Sequence, residues 1–167
     1  MLNRRTFATR TLTAGLAAGI APHLFSANPK VANPEVRLGF IGVGGRGSGL
    51  LKTLLEMEDV QFPAICDMRE DNLSKAQNFV EESGRPRPEA YQRGPYDFKR
   101  LVQRDDLDGV IIATPWRWHI PMSIAALEAG KAVACEVGPA NSTEECWDLV
   151  RTAEASSTPC MLLEHAC

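Results

Sequence analysis

From about Val36 onward, short apolar runs alternate with longer stretches in which apolar residues recur every three or four positions. Short runs are typical of buried strands, and the wider spacing is typical of helices with one buried face. The pattern predicts strands at residues 36–42, 60–67, 90–91, 107–115, 131–137 and 158–166. It predicts helices at residues 47–58, 69–84, 96–106, 120–131 and 142–157. Strands that alternate with helices indicate a parallel sheet, so the predicted fold class is α/β.

Residues 1–34 have a different pattern and are assigned to a separate segment. Arg4 and Arg5 stand side by side, Phe7 follows, and a weakly apolar run comes after that is too short to span a bilayer. This arrangement predicts a twin-arginine export signal with a linker, and therefore the twin-arginine translocation machinery as a partner and a periplasmic or cell-envelope location. An amphipathic N-terminal helix is the alternative. The globular domain is expected over residues 35–167.

Composition limits the classes of protein that this domain can belong to. The chain has 167 residues, 44% of them hydrophobic and 23% charged, which suffices for one domain with a core. A net charge of -3 without a basic run argues against nucleic acid as a partner. The five cysteines form no C-x-x-C pair, so neither a disulfide framework nor a metal site is indicated. Cys66 and Cys135 lie in apolar runs and are expected to be buried.

The glycine-rich stretch after the first strand carries the strongest signal for chemistry. Gly42, Gly44 and Gly47 have the G-x-G-x-x-G spacing and lie between a predicted strand and a predicted helix. In a Rossmann doubly wound sheet, these glycines allow a tight turn, a close approach of the pyrophosphate and close packing of helix on strand. The helix amino end then offers free N–H groups to the phosphates. The stretch therefore predicts a dinucleotide site.

An acidic residue at the end of the second strand indicates which dinucleotide binds. Asp67 follows Gly47 by about twenty residues, where a carboxylate accepts hydrogen bonds from the ribose hydroxyls and repels a 2′-phosphate. The predicted cofactor is therefore NAD rather than NADP, although Arg69 lies nearby and is compatible with NADP.

Three stretches resemble the nucleotide-binding half of the Gfo/Idh/MocA oxidoreductases, and more closely their glycoside hydrolase family 109 branch. They are LGFIGVGGRG, ATPWRWHIPMSIAALEAGKAVACEV and ECWDLVRTAEASSTPCMLLEHAC. The Trp-x-Trp-His sequence in the second stretch is more specific than the glycine motif. Where the larger family typically has Glu-Lys-Pro, this chain has Glu136, Val137, Gly138 and Pro139. The missing lysine favours the hydrolase branch over an ordinary sugar dehydrogenase.

The resemblance implies a set of cofactor contacts. Gly45 and Arg46 would contact the pyrophosphate, Asp67 the adenosine ribose, and Glu136 with Val137 the nicotinamide end. The segment Trp116, Arg117, Trp118 and His119 would contact the cofactor in the crevice. His119 has an alternative role in capping or packing the helix that follows, and one of the two tryptophans is expected to cover apolar surface. His165 stands where the branch usually has an Asn, and it would contact nicotinamide or substrate with a proton that titrates near neutrality.

The resemblance also implies a reaction. The branch oxidises a sugar at carbon 3, eliminates the glycosidic oxygen, adds water and returns the hydride. The alternatives are a sugar or inositol dehydrogenase of the same family and a nucleotide-binding fragment without activity. Since the family's second, substrate-binding domain is absent from the sequence, we expect the catalytic residues and the surface for homo-oligomer formation in that missing part. The 167-residue chain alone is expected to be inactive and to bind NAD weakly.

Overall fold

The computed structural model describes residues 35–138 and 140–164, which belong to one compact unit. A single sheet of parallel strands forms its centre, with the spatial order β3-β2-β1-β4-β5-β6. The strands are β1 Val36–Ile41, β2 Val60–Cys66, β3 Glu89–Tyr91, β4 Gly109–Ile112, β5 Ala132–Glu136 and β6 Cys160–Leu163. This order, which reverses direction between β1 and β4, is that of the Rossmann doubly wound fold and confirms the predicted fold class.

The helices connect these strands and cover both faces of the sheet. They are α1 Gly45–Leu54, α2 Glu70–Glu82, α3 Phe98–Val102, α4 His119–Glu128 and α5 Thr143–Ala155, with a short 3-10 turn at Trp116–Trp118 before α4. Side chains of α1 and α2 join one apolar cluster around Phe40 and Ile65. Side chains of α3 and α4 join a second cluster around Ile41 and Ile112. Neighbouring residues of one strand therefore pack against helices on opposite faces of the sheet, as the period of two in a strand requires.

The elements follow the predicted order. The third strand forms although Pro86 and Pro88 precede it, because its pairing with β2 starts only at Glu89. The third helix is shorter than predicted and ends at Val102, since the chain must turn there to enter β4. Cys66 and Cys135 are buried, which confirms that expectation. Within the described residues, no helix is both long enough and apolar enough to cross a membrane.

Candidate functional site

A crevice of about 350 Å³ opens at the edge of the sheet where the parallel strands end. In doubly wound folds, ligands bind at this edge, beside the point where the strand order reverses. Five residues of the predicted cofactor site line it, namely Gly42, Gly44, Asp67, Arg117 and Trp118. The structure therefore gathers residues from the ends of β1, β2 and β4 into one concave surface.

Two of the motif glycines cannot be replaced without moving the backbone. Gly42 has a positive φ of 87°, and a Cβ atom there would lie 2.7 Å from the carbonyl oxygen of Ala113. A Cβ atom at Gly47 would lie 1.9 Å from the carbonyl oxygen of Gly42. The tight turn after β1 and the close packing of α1 on it both depend on these glycines, as the motif predicts.

Gly44 of the motif and its neighbour Gly45 leave space in front of the α1 amino terminus. A Cβ atom at Gly45 would meet no atom within 4 Å, and one at Gly44 would meet only the Asn72 side chain, at 3.6 Å. The Ser48 amide donates to the Gly44 carbonyl oxygen at 2.7 Å, so the amides of the preceding first turn have no carbonyl acceptor within the helix. The amide groups at the start of a helix and the positive end of its dipole suit a pyrophosphate. The turn therefore fits a dinucleotide.

Asp67 is held rigidly at the crevice by three donors. Its Oδ2 accepts from the Val43 amide at 2.9 Å, and its Oδ1 accepts from the Arg69 amide at 2.9 Å and from Asn72 Nδ2 at 3.1 Å. Because each carboxylate oxygen can accept more than one hydrogen bond, the group keeps acceptor capacity for ribose hydroxyls. The bond to Val43 also ties the end of β2 to the glycine turn.

An ion pair joins the glycine turn to the end of β5. The Nε and Nη2 atoms of Arg46 both lie 2.7 Å from Oε1 of Glu136. The Glu136 side chain is 10% exposed and the Arg46 side chain 46% exposed. Arg46 and Glu136 therefore face each other at the strand ends, although neither lines the crevice described above.

The connection from β4 to α4 forms one wall of the crevice. Trp118 packs edge-on against Phe98 and Tyr96, with ring centroids 6.2 and 5.5 Å apart. It is therefore the tryptophan of the pair that covers apolar surface, although it also lines the crevice. Trp116 is 66% exposed and lies against Gly138, where an added Cβ atom would come within 2.8 Å of the indole.

His119 lies beneath this wall rather than on the crevice surface. Its side chain is 1% exposed, and its Nε2 is 2.7 Å from the carbonyl oxygen of Thr114. This burial agrees with the packing role that the sequence left open, and direct contact with the cofactor stays a prediction. Val137 is half-buried outside the crevice lining, and His165 lies outside the described residues.

Sequence reasoning missed several residues of the crevice. Asn72 lies in the first turn of α2. The sequence signal that could have identified it is its position at the start of the helix that follows Asp67. Gly94 and Pro95 come from the loop after β3, a strand whose weak pattern hid the loop. Cys66 also lines the crevice, and burial, together with the Asp97 and Asp67 carboxylates, raises the pKa of its thiol to about 12. It therefore contributes an inert apolar surface there.

The fold and this site define a dinucleotide-binding α/β domain, and comparison with known proteins agrees. Residues 36–163 match the model of the oxidoreductase family with an NAD-binding Rossmann fold, known as GFO_IDH_MocA. The chain belongs to this family, which confirms the expected cofactor, NAD.

Similar proteins confirm the resemblance to glycoside hydrolase family 109. The chain is 48% identical over 134 residues to an alpha-N-acetylgalactosaminidase of Bacteroides fragilis, covering 80% of this chain and 31% of that protein. It is 42% identical over 161 residues to a glycosyl hydrolase family 109 protein of Stenotrophomonas maltophilia, covering 95% of this chain and 36% of that protein. The chain thus spans about a third of the length of these relatives.

Solved structures share the fold at lower identity. The myo-inositol 2-dehydrogenase of Lactobacillus plantarum superposes with a TM-score of 0.66 at 23% identity, covering 78% of this chain and 36% of that chain. The WlbA dehydrogenase of Chromobacterium violaceum, solved with NADH and UDP-GlcNAcA, superposes with a TM-score of 0.64 at 24% identity, covering 78% of this chain and 35% of that chain. Both likenesses concern the Rossmann domain alone.

Proposed function

We propose that this chain is the NAD-binding part of an NAD-dependent glycosidase that removes a terminal sugar, such as an α-linked N-acetylgalactosamine. One observation carries the choice over a dehydrogenase. Val137 follows Glu136 at the end of β5, where the larger family typically has a lysine. The relatives named as glycosyl hydrolases, at 42–48% identity, support the same choice.

In this proposal the chain's own residues bind and orient the dinucleotide. The first-turn amides of α1 and the Arg46 guanidinium hold the pyrophosphate, since both offer donors and positive charge. Asp67 accepts hydrogen bonds from the adenosine ribose and excludes a 2′-phosphate. Arg117 and Trp118 bound the crevice on the β4 side, and Glu136 keeps the Arg46 guanidinium at the edge of the sheet.

Bound NAD would accept a hydride from sugar carbon 3 and later return it, so the reaction consumes no oxidant. While carbon 3 is a ketone, the hydrogen on carbon 2 is acidic enough for a base to remove, and the glycosidic oxygen leaves by elimination. Water then adds to the double bond. The base and acid are proposed to lie in the part of the protein beyond this chain, which we propose to carry any oligomer interface as well.

The proposal includes export by the twin-arginine route. A protein that folds before export can carry its cofactor with it, and a reaction that returns its hydride needs no pool of free NAD outside the cytoplasm. Replacing Arg4 and Arg5 by lysine should retain the protein in the cytoplasm. Unchanged export of this double variant would contradict the proposed route.

The test is an assay of the complete protein with a nitrophenyl α-N-acetylgalactosaminide and no added NAD. Release of nitrophenol without accumulation of NADH supports the glycosidase. Steady reduction of added NAD by a free sugar or inositol, without nitrophenol release, would identify a dehydrogenase instead. Loss of release in Arg46→Met but not in Arg151→Met, an arginine far along α5, would assign the activity to this site. The 167-residue chain alone is expected to release none.

A further inference from the structure

His119 is a polar side chain in a place where polar groups are uncommon. It is the first residue of α4, directly after the Trp116–Trp118 turn, and only 1% of its surface is exposed. Burial of a polar group without a hydrogen bond destabilises a protein. The hydrogen-bond partner of the His119 ring therefore indicates the role of this residue.

The partner of His119 is the backbone of the crevice wall. The Nε2 atom lies 2.7 Å from the carbonyl oxygen of Thr114, and a carbonyl only accepts, so Nε2 carries the hydrogen. Among the described residues, Nδ1 has no hydrogen-bond partner. The bond to Thr114 is therefore the polar interaction that fixes the ring.

Thr114 is the residue at which the wall meets the glycine turn. A Cβ atom at Gly42 would lie 2.8 Å from Thr114 Cγ2, so the two segments are already in close contact. Thr114 and its neighbours Pro115, Arg117 and Trp118 line the crevice opposite Asp67. The Trp118 amide donates to the Pro115 carbonyl oxygen at 2.9 Å, and the His119 bond closes the same loop one residue further out on each side.

We propose that His119 is a positioning residue of the NAD crevice, whose Nε2–H holds the Thr114 carbonyl and thereby sets the wall from Thr114 to Trp118. The imidazole acts from below the wall, through the Thr114 carbonyl oxygen. The inference rests on the NAD-binding fold of the chain and not on the glycosidase proposal, so either can fail without the other.

Two variants of the 167-residue chain separate the donated hydrogen bond from simple filling of space. His119→Gln places an amide nitrogen the same number of bonds from Cα as Nε2, whereas His119→Met fills similar space without a donor. We expect His119→Met to weaken NAD binding about fivefold, the equivalent of one neutral hydrogen bond, and His119→Gln to stay within about twofold. Equal loss in both variants would overturn the proposal, because it would indicate direct contact by the ring. No loss in either would overturn it too.

A third variant controls for a general loss of stability. Val80 is fully buried in α2, away from the crevice lining, and Val80→Ala should lower the melting temperature while NAD affinity stays unchanged. Weaker NAD binding in Val80→Ala to the same degree as in His119→Met would overturn the positioning role. NMR of the ¹⁵N-histidine-labelled wild type provides a readout even if His119→Met fails to fold. The Nε2–H tautomer is expected before and after NAD is added, and the Nδ1–H tautomer would contradict the proposal.

Discussion

Arg46 and Glu136, ninety positions apart in the sequence, meet at the edge of the sheet with Arg46 Nε and Nη2 each 2.7 Å from Glu136 Oε1. The pair connects the first turn of α1 to the end of β5. It therefore sets the direction of a positive charge beside the amides that we propose to hold the pyrophosphate. Its contribution to stability is expected to be small, because the Arg46 side chain is 46% exposed and solvent screens the attraction.

Removal of the Arg46 charge should therefore weaken NAD binding. In Arg46→Met, NAD affinity is expected to fall about tenfold, since a charge-assisted hydrogen bond to phosphate is lost. The dependence of affinity on salt should fall as well. Arg151→Met is the control, because Arg151 forms an exposed ion pair with Asp148 on α5, away from the crevice lining. Titrations with NAD at low and high salt measure both effects, and an equal loss in the two variants would rule out a local role.

Gly47 of the motif and its neighbour Gly45 should respond differently to alanine. In Gly47→Ala the new Cβ atom would lie 1.9 Å from the Gly42 carbonyl oxygen, so the turn must shift, and the free energy of unfolding should fall by about 3 kcal/mol. Gly45→Ala meets no atom and should fold with equal or slightly higher stability, because alanine favours helix. Its methyl group would occupy the space proposed for pyrophosphate and weaken NAD binding. Urea unfolding and NAD titration distinguish these outcomes, and full NAD affinity in a folded Gly45→Ala would place the phosphates elsewhere.

Asp67 should control the choice between NAD and NADP. Asp67→Asn keeps the size of the side chain but removes the charge that repels a 2′-phosphate. The ratio of NAD affinity to NADP affinity should therefore fall about tenfold. Stability should fall by about 1 kcal/mol, because an amide nitrogen cannot accept the hydrogen bonds that the carboxylate accepts. Asp105→Asn, an exposed acid between α3 and β4 and outside the crevice lining, is the control and should change neither property. An unchanged NAD-to-NADP ratio in Asp67→Asn would show that Asp67 does not face the ribose.

The buried thiols predict a reactivity pattern and a pH dependence. Burial raises the pKa of Cys66 and of Cys135 to about 12, whereas Cys146 is exposed. Peptide mapping after iodoacetamide at pH 8 should find Cys146 modified and the two buried thiols unmodified until the protein is unfolded. The unfolded thiols lose their protons near their ordinary pKa of 9.0. The contribution of the two protonated thiols to the free energy of unfolding should therefore be fully present below that pH and be lost as the pH rises toward about 12. Rapid modification of Cys66 in the folded chain would contradict its burial.

The order of elements was predictable because it depends on local pattern. Runs such as Val110–Ile112 and the spacing of Leu73, Ala76 and Val80 each report burial on their own, and the structure buries all of these residues. The G-x-G-x-x-G stretch was predictable for the same reason, since the positive φ of Gly42 and the conflict between a Gly47 Cβ atom and the Gly42 carbonyl oxygen both arise within one turn. The close approach of Gly42 to Ala113 after β4 has no such local signal.

The remainder of the site depends on contacts between distant segments. No local signal pairs Arg46 with Glu136, because they meet only when β5 takes its place beside β4. The burial of His119 likewise depends on how the chain turns after β4, so the sequence left both a contact role and a packing role open. Asn72 is a different case, because it is only five residues from Asp67, and the sequence pattern of α2 does not show that its side chain turns back to that carboxylate.

The decisive experiment is an NMR titration of the ¹⁵N-labelled chain with NAD, since it locates even weak binding residue by residue. We expect amide shifts at Gly44, Gly45 and Arg46 around the first turn of α1, at Asp67–Arg69, and at Thr114 and Trp116–Trp118. NADP should produce the same shifts only at a concentration at least about tenfold higher, because Asp67 opposes its 2′-phosphate. Shifts confined to other surfaces, no shifts at all, or equal responses to NAD and NADP would rule out an NAD site in this crevice.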